Sequence, residues 1–205
     1  MKSKARDTTA RAMWVRRLNA SAAPLQANQK DLDIAPMGFL GAIWGFAGVC
    51  ALLASAIIRL CPRAQEALLS DLSVLQWIIA IAWGIFMLIA EGYRGFQKKF
   101  SPRTAARVRY LRRNPTWVRV LLAPFFCMGY FYATKKTRII AFSLTIAIIL
   151  LVILVKFVPQ PWRGIVDFGV VLGLSYGLIS FLVYTVKALF EPSFEVSPEV
   201  PESVA

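Results

Sequence analysis

Residues 91–138 read EGYRGFQKKFSPRTAARVRYLRRNPTWVRVLLAPFFCMGYFYATKKTR. The stretch opens basic, with Arg94, Lys98, Lys99, Arg103, Arg107, Arg109, Arg112 and Arg113. It turns apolar and aromatic over 117–133, then closes on Lys135, Lys136 and Arg138. Long apolar runs flank it on both sides. Positive charge between hydrophobic runs sets the side from which each run enters a bilayer. The same block is the expected surface for anionic lipid or an acidic partner.

The rest of the composition agrees with a membrane setting. The chain has 205 residues, of which 58% are hydrophobic, and its mean hydropathy is +0.58. A soluble domain of that length has too little core to hide so much apolar surface. The net charge is +13. Because the cations cluster at the ends of apolar runs, they point to topology and lipid. No nucleic-acid motif accompanies them, so no specific nucleic-acid partner is expected.

Four runs are long enough to cross about 30 Å of hydrocarbon. The first covers 36–60, with Pro36 suited to a first helical turn and Pro62 expected to stop it. The second covers 72–90, capped by Ser70 or Asp71 and ended at Glu91. The third covers 139–158. The last covers 165–190 and follows the turn 159–164. Gly38, Gly41, Gly45 and Gly48 form a smooth stripe on the first span. Gly169, Gly173 and Gly177 form another on the last. Small residues let membrane helices approach closely, so the two stripes are expected to pack on each other.

The run 117–133 is short for a crossing and is broken by Pro124 and Gly129. Its aromatic residues favour the interface. If it does not cross, one side of the membrane holds 20 of the 24 basic residues. Only Arg59, Arg63, Lys156 and Arg163 then lie opposite. If it crosses, the bias weakens. The positive-inside rule therefore predicts a hairpin that returns to its own side. The expected fold is all-α: an integral membrane four-helix bundle, with a re-entrant or interfacial aromatic helical hairpin between the second and third spans. Both chain ends are expected in the cytoplasm of a bacterial cell, with the bundle in the inner membrane.

Outside the domain 36–190, residues 1–35 are polar and basic and do not read as a signal peptide. Ala10, Met13, Trp14 and Leu18 can share one face of a surface helix. The polar segment 92–138 is expected as a cytoplasmic loop. Within it, the arginines of 103–113 do not gather on one helical face, which predicts a solvated basic arm. Residues 191–205 are acidic and rich in proline and serine, the composition of a disordered tail.

Little catalytic chemistry is available. The chain has no histidine, which removes the commonest general base and metal ligand. Cys50, Cys61 and Cys127 lack CxxC spacing, and no GxSxG turn or phosphate-binding loop is present. No catalytic residue, metal or cofactor is expected. Asp167, beside Arg163 in the last span, and Glu91, at the end of the second, are candidates for ion pairing or transport. The expected function is non-enzymatic: an accessory, assembly or scaffold subunit of a larger membrane complex or homo-oligomer. A small oligomeric transporter or channel using the segment near Pro124 is the alternative.

Overall fold

In a computed structural model, residues 36–191 and 193–201 are described. The expected surface helix around Trp14 lies outside them. The described residues are helical, with four helices long and apolar enough to cross a membrane. This is the architecture of a multi-pass helical membrane protein. Helix α1 spans Pro36–Leu68. Helix α2, Val74–Met87, runs through a π-helical stretch, Leu88–Phe100, into α3, Ser101–Arg113. Two short helices follow, α4 (Trp117–Leu121) and α5 (Ala123–Met128). Helices α6, Lys135–Val155, and α7, Trp162–Phe190, complete the chain.

Several boundaries differ from expectation for local reasons. Helix α1 does not stop at Pro62. Its last turns bury Ala64 and Ala67, and Ala67 lies where Gly164 of α7 leaves room for it. Interior proline costs a helix hydrogen bond, and this packing offsets it. Helix α2 is capped by Ser73, in a reciprocal pair with Gln76, a capping box that satisfies two orphan donors. Nor does Glu91 end the second span: the helix continues through it for another 22 residues, to Arg113.

The two glycine stripes do not meet. On α1, a Cβ at Gly41 would lie 2.8 Å from Val120 Cγ2, and one at Gly45 would lie 2.8 Å from Cys127 Sγ. Gly38 faces the Arg112 carbonyl, and Gly48 faces the Pro124 ring. That stripe therefore holds α3 and the α4–α5 segment. On α7, Gly169 faces Trp83, Gly173 faces Glu91 and Gly177 faces Phe96. Side-chain volume explains the choice: each stripe accepts bulky partners, which a second stripe of glycines could not supply. Helices α1 and α7 touch elsewhere, at the Phe46–Phe181 ring pair and at Gly164.

The π-helical stretch adjusts the register along α7. Residues five apart share a face of a π-helix, whereas those four apart do so in an α-helix. The α7 contacts recur every four residues, at Gly169, Gly173, Gly177 and Phe181. Their partners are Met87, Glu91, Phe96 and Phe100. The step from Glu91 to Phe96 is five, and the wider turn absorbs the extra residue. Because both series rise together, α2 and α7 run parallel.

The start of α1 and the end of α3 share one end of the bundle, through Gly38 and Arg112. The start of α6 and the segment after α7 join them there, through Thr134 and Glu199. Call this the basic end. At the opposite end, Gln160 bonds Glu66 and Gly164 meets Ala67. The core lies toward the basic end. Val49, Val108, Leu111, Phe126, Cys127 and Phe181 are almost fully buried there. Helix α6 stands apart, burying only Thr137 and Ala141.

Candidate functional site: an arginine junction beside an amphipathic cavity

Helix α3 is not a solvated arm. Its face Ser101, Thr104, Ala105, Val108 and Leu111 is buried. These positions follow the three- and four-residue spacing of an amphipathic helix. That spacing is present in the sequence, interleaved with the arginines. Ser101 and Thr104 are polar and Ala105 is small, so this face carries little apolar bulk.

Arg107 is the largest correction. It was expected at a lipid-facing surface, yet it is fully buried. Its Nε donates to the Phe126 carbonyl at 2.6 Å. Its Nη2 donates to the Phe131 and Tyr132 carbonyls at 2.9 and 3.0 Å. Its Nη1 donates to the Pro198 carbonyl at 2.9 Å. The guanidinium also lies 4.3 Å from the Phe126 ring centroid. A rigid planar fork can serve several acceptors at once. Here it satisfies carbonyls freed where α5 ends at Gly129, which adopts φ 92°. Arg107 thereby ties α3, the segment 126–132 and the C-terminal segment together.

The C-terminal segment is held along 194–201, where a free tail was expected. Arg109 Nη1 donates to the Phe194 carbonyl at 3.0 Å. The Thr134 amide donates to the Glu199 carbonyl at 3.0 Å. The Glu199 carboxylate accepts from the Thr137 hydroxyl and lies 3.7 Å from Arg103. Thr134 is itself the N-cap of α6 and accepts from the Thr137 amide. An anionic group beside the first turn of a helix is favoured by the helix dipole. Arg119, absent from the expected site, is buried between Tyr110 and Tyr132, at 5.5 and 4.9 Å from their ring centroids. Its Nη1 also donates to the Asn114 carbonyl.

The other expected cations remain outside. Arg94, Lys98, Lys99, Arg112, Arg113, Lys135, Lys136 and Arg138 are exposed, while Arg103 and Arg109 are half-buried. Arg94 lies midway along the bundle, between the Gly92–Tyr176 and Phe96–Gly177 contacts, and the others lie toward the basic end. Among the described residues, Arg103–Glu199 is the one ion pair within 4.0 Å. A cavity of about 930 Å³ opens beside Lys135 and Arg138. Val118, Leu122 and Phe131 form its apolar wall, and Pro201 closes one side.

The candidate ionic residues lie apart from this junction. Glu91 packs against Gly173, and its Oε2 is buried without a hydrogen-bond partner among the described residues. It makes no ion pair with Arg94, Lys98 or Arg138. Asp167 is buried near the far end, and its Oδ2 is likewise unbonded. Arg163 and Arg63 are the cations whose charge acts on it. Arg163 does not reach salt-bridge distance.

The fold and the charge layout define a multi-pass helical membrane protein. No family model, curated protein or solved structure matches the chain.

Proposed function

We propose that this is a non-enzymatic accessory or scaffold subunit of a membrane complex, whose basic end binds anionic lipid or an acidic partner. One observation carries the reading: seven exposed cations gather at one end of the bundle, with few acids among the described residues to neutralise them. Only Arg59, Arg63, Lys156 and Arg163 occupy the far end among the described residues. By the positive-inside rule the basic end faces the cytoplasm of a bacterial inner membrane.

The hairpin then lies at the headgroup level. Helix α6 has 21 residues, about 32 Å at 1.5 Å per residue, which matches the hydrocarbon core. Lys135 and Lys136 mark one boundary and Lys156 the other. Thr137 and Arg103 share Glu199 as partner, so Arg103 lies near the first boundary. The hairpin packs along the first turns of α1, where Trp44 Nε1 donates to the Leu121 carbonyl at 3.2 Å. Its irregular backbone is buried against protein, the condition under which a membrane tolerates it.

Native mass spectrometry of protein titrated with phosphatidylglycerol and with phosphatidylcholine tests the reading. The anionic lipid is expected to stay bound at collision energies that strip the neutral one. Equal retention of the two lipids, with no partner protein in a mild-detergent extract, overturns it.

A further inference from the structure

We propose that the cavity between the hairpin and the start of α6 is a discrete binding site for one anionic phospholipid. The inference rests on the lipid-binding reading above and narrows it to a place. Two chemistries meet in the cavity. Val118, Leu122 and Phe131 supply an apolar wall, while Lys135 and Arg138 supply positive charge at its rim. Val118 and Leu122 are exposed, as are Lys135 and Arg138. A ligand that satisfies both halves carries an anionic head and an apolar tail.

Charge and position favour a lipid from the bilayer. Lys135 and Arg138 stand on the first turn of the apolar helix α6. A headgroup there keeps its acyl chains beside the uncovered Ile139 and Phe142. Among the described residues Glu199 is the nearby acid, and it is engaged by Arg103 and Thr137. It therefore leaves the two rim cations to the ligand. At about 930 Å³ the cavity has room for a glycerophosphate head and the first methylenes of its chains. The segment through Pro201 forms a wall, so this docked stretch shapes the site.

The test compares two double variants at equal loss of charge. Lys135→Ala/Arg138→Ala is expected to weaken phosphatidylglycerol binding about tenfold or more, from two cations near one headgroup. Arg112→Ala/Arg113→Ala is expected to cost several-fold less. A third variant, Val118→Asp, should lower affinity for the diacyl lipid and leave glycerol phosphate unaffected. All five residues are exposed, and the melting temperature of each variant checks that it folds. Equal losses for the two double variants overturn the site but leave the broader basic-surface reading intact. Competition by glycerol phosphate at the same concentration as diacyl lipid also overturns it. A parental protein with no anionic preference overturns the broader reading itself.

Discussion

Arg107 Nε lies 2.6 Å from the Phe126 carbonyl oxygen, joining the buried face of α3 to the last turn of α5. A side chain expected to reach lipid instead holds α5 against α3. Replacing Arg107 by Met would remove the side-chain donor from four carbonyls, of which Phe126 keeps the Gly129 amide. One buried unsatisfied acceptor costs about 1–3 kcal/mol. The variant should therefore lose about 3 kcal/mol or more of stability in detergent. Arg107→Lys should recover less than half of that, because one ammonium cannot span the fork. Arg113→Met, on the exposed surface, should stay within about 0.5 kcal/mol of the parent. Similar losses at 107 and 113 would refute the junction.

The contact between Gly45 and Cys127 can be trapped covalently. A Cβ at Gly45 would lie 2.8 Å from Cys127 Sγ, within the reach of a disulfide. Gly45→Cys should crosslink to Cys127 under mild oxidation, and mass spectrometry of the joined peptides should show it. Adding Gly48→Leu drives a side chain into Pro124 and should suppress the crosslink. No link to Cys127 in the folded protein would place α5 elsewhere.

Gly173 and Glu91 should be energetically coupled. A Cβ at Gly173 would meet Glu91 Oε2 at 2.7 Å. Gly173→Ala should be destabilising alone and better tolerated with Glu91→Ala. The coupling energy expected for residues in contact is about 0.5–3 kcal/mol. Gly173→Ala with Gly45→Ala should be additive within about 0.5 kcal/mol, since these two meet different partners. A strong 45–173 coupling would restore stripe-on-stripe packing.

Docking of the C-terminal segment has a backbone readout. The Thr134 amide donates to the Glu199 carbonyl. Removing residues 198–205 should speed hydrogen exchange at Thr134 and lower stability, because Arg107 also loses the Pro198 carbonyl. Glu199→Gln should change stability by no more than about 1 kcal/mol, since the Arg103 pair is partly exposed to solvent. Unchanged exchange at Thr134 after truncation would show that the segment is not bound there.

Much of the architecture was legible from local pattern. Apolar runs of about twenty residues have one economical solution in lipid, a helix that satisfies its own backbone. Their number and rough position, and the break at Pro124 and Gly129, could therefore be read directly. Cation placement could also be read, because charge is costly in hydrocarbon and collects at helix ends. The stripes of Gly41, Gly45, Gly169, Gly173 and Gly177 likewise announced close approach.

What approaches each stripe was settled only in three dimensions. A glycine marks room for a partner and carries no mark of which partner fills it. The ring of Pro124 fills the space at Gly48, and Glu91 fills it at Gly173. The fate of Arg107 was hidden for a related reason. An arginine on a polar helix reads as solvated until its fork meets four carbonyls from distant segments. Sequence alone determined the hydrophobic lengths and the charge asymmetry, because these are sums over neighbouring residues. The tertiary structure decided which glycine meets which side chain and which cation turns inward, because those depend on partners far away in the chain, 91 residues for Arg107 and Pro198.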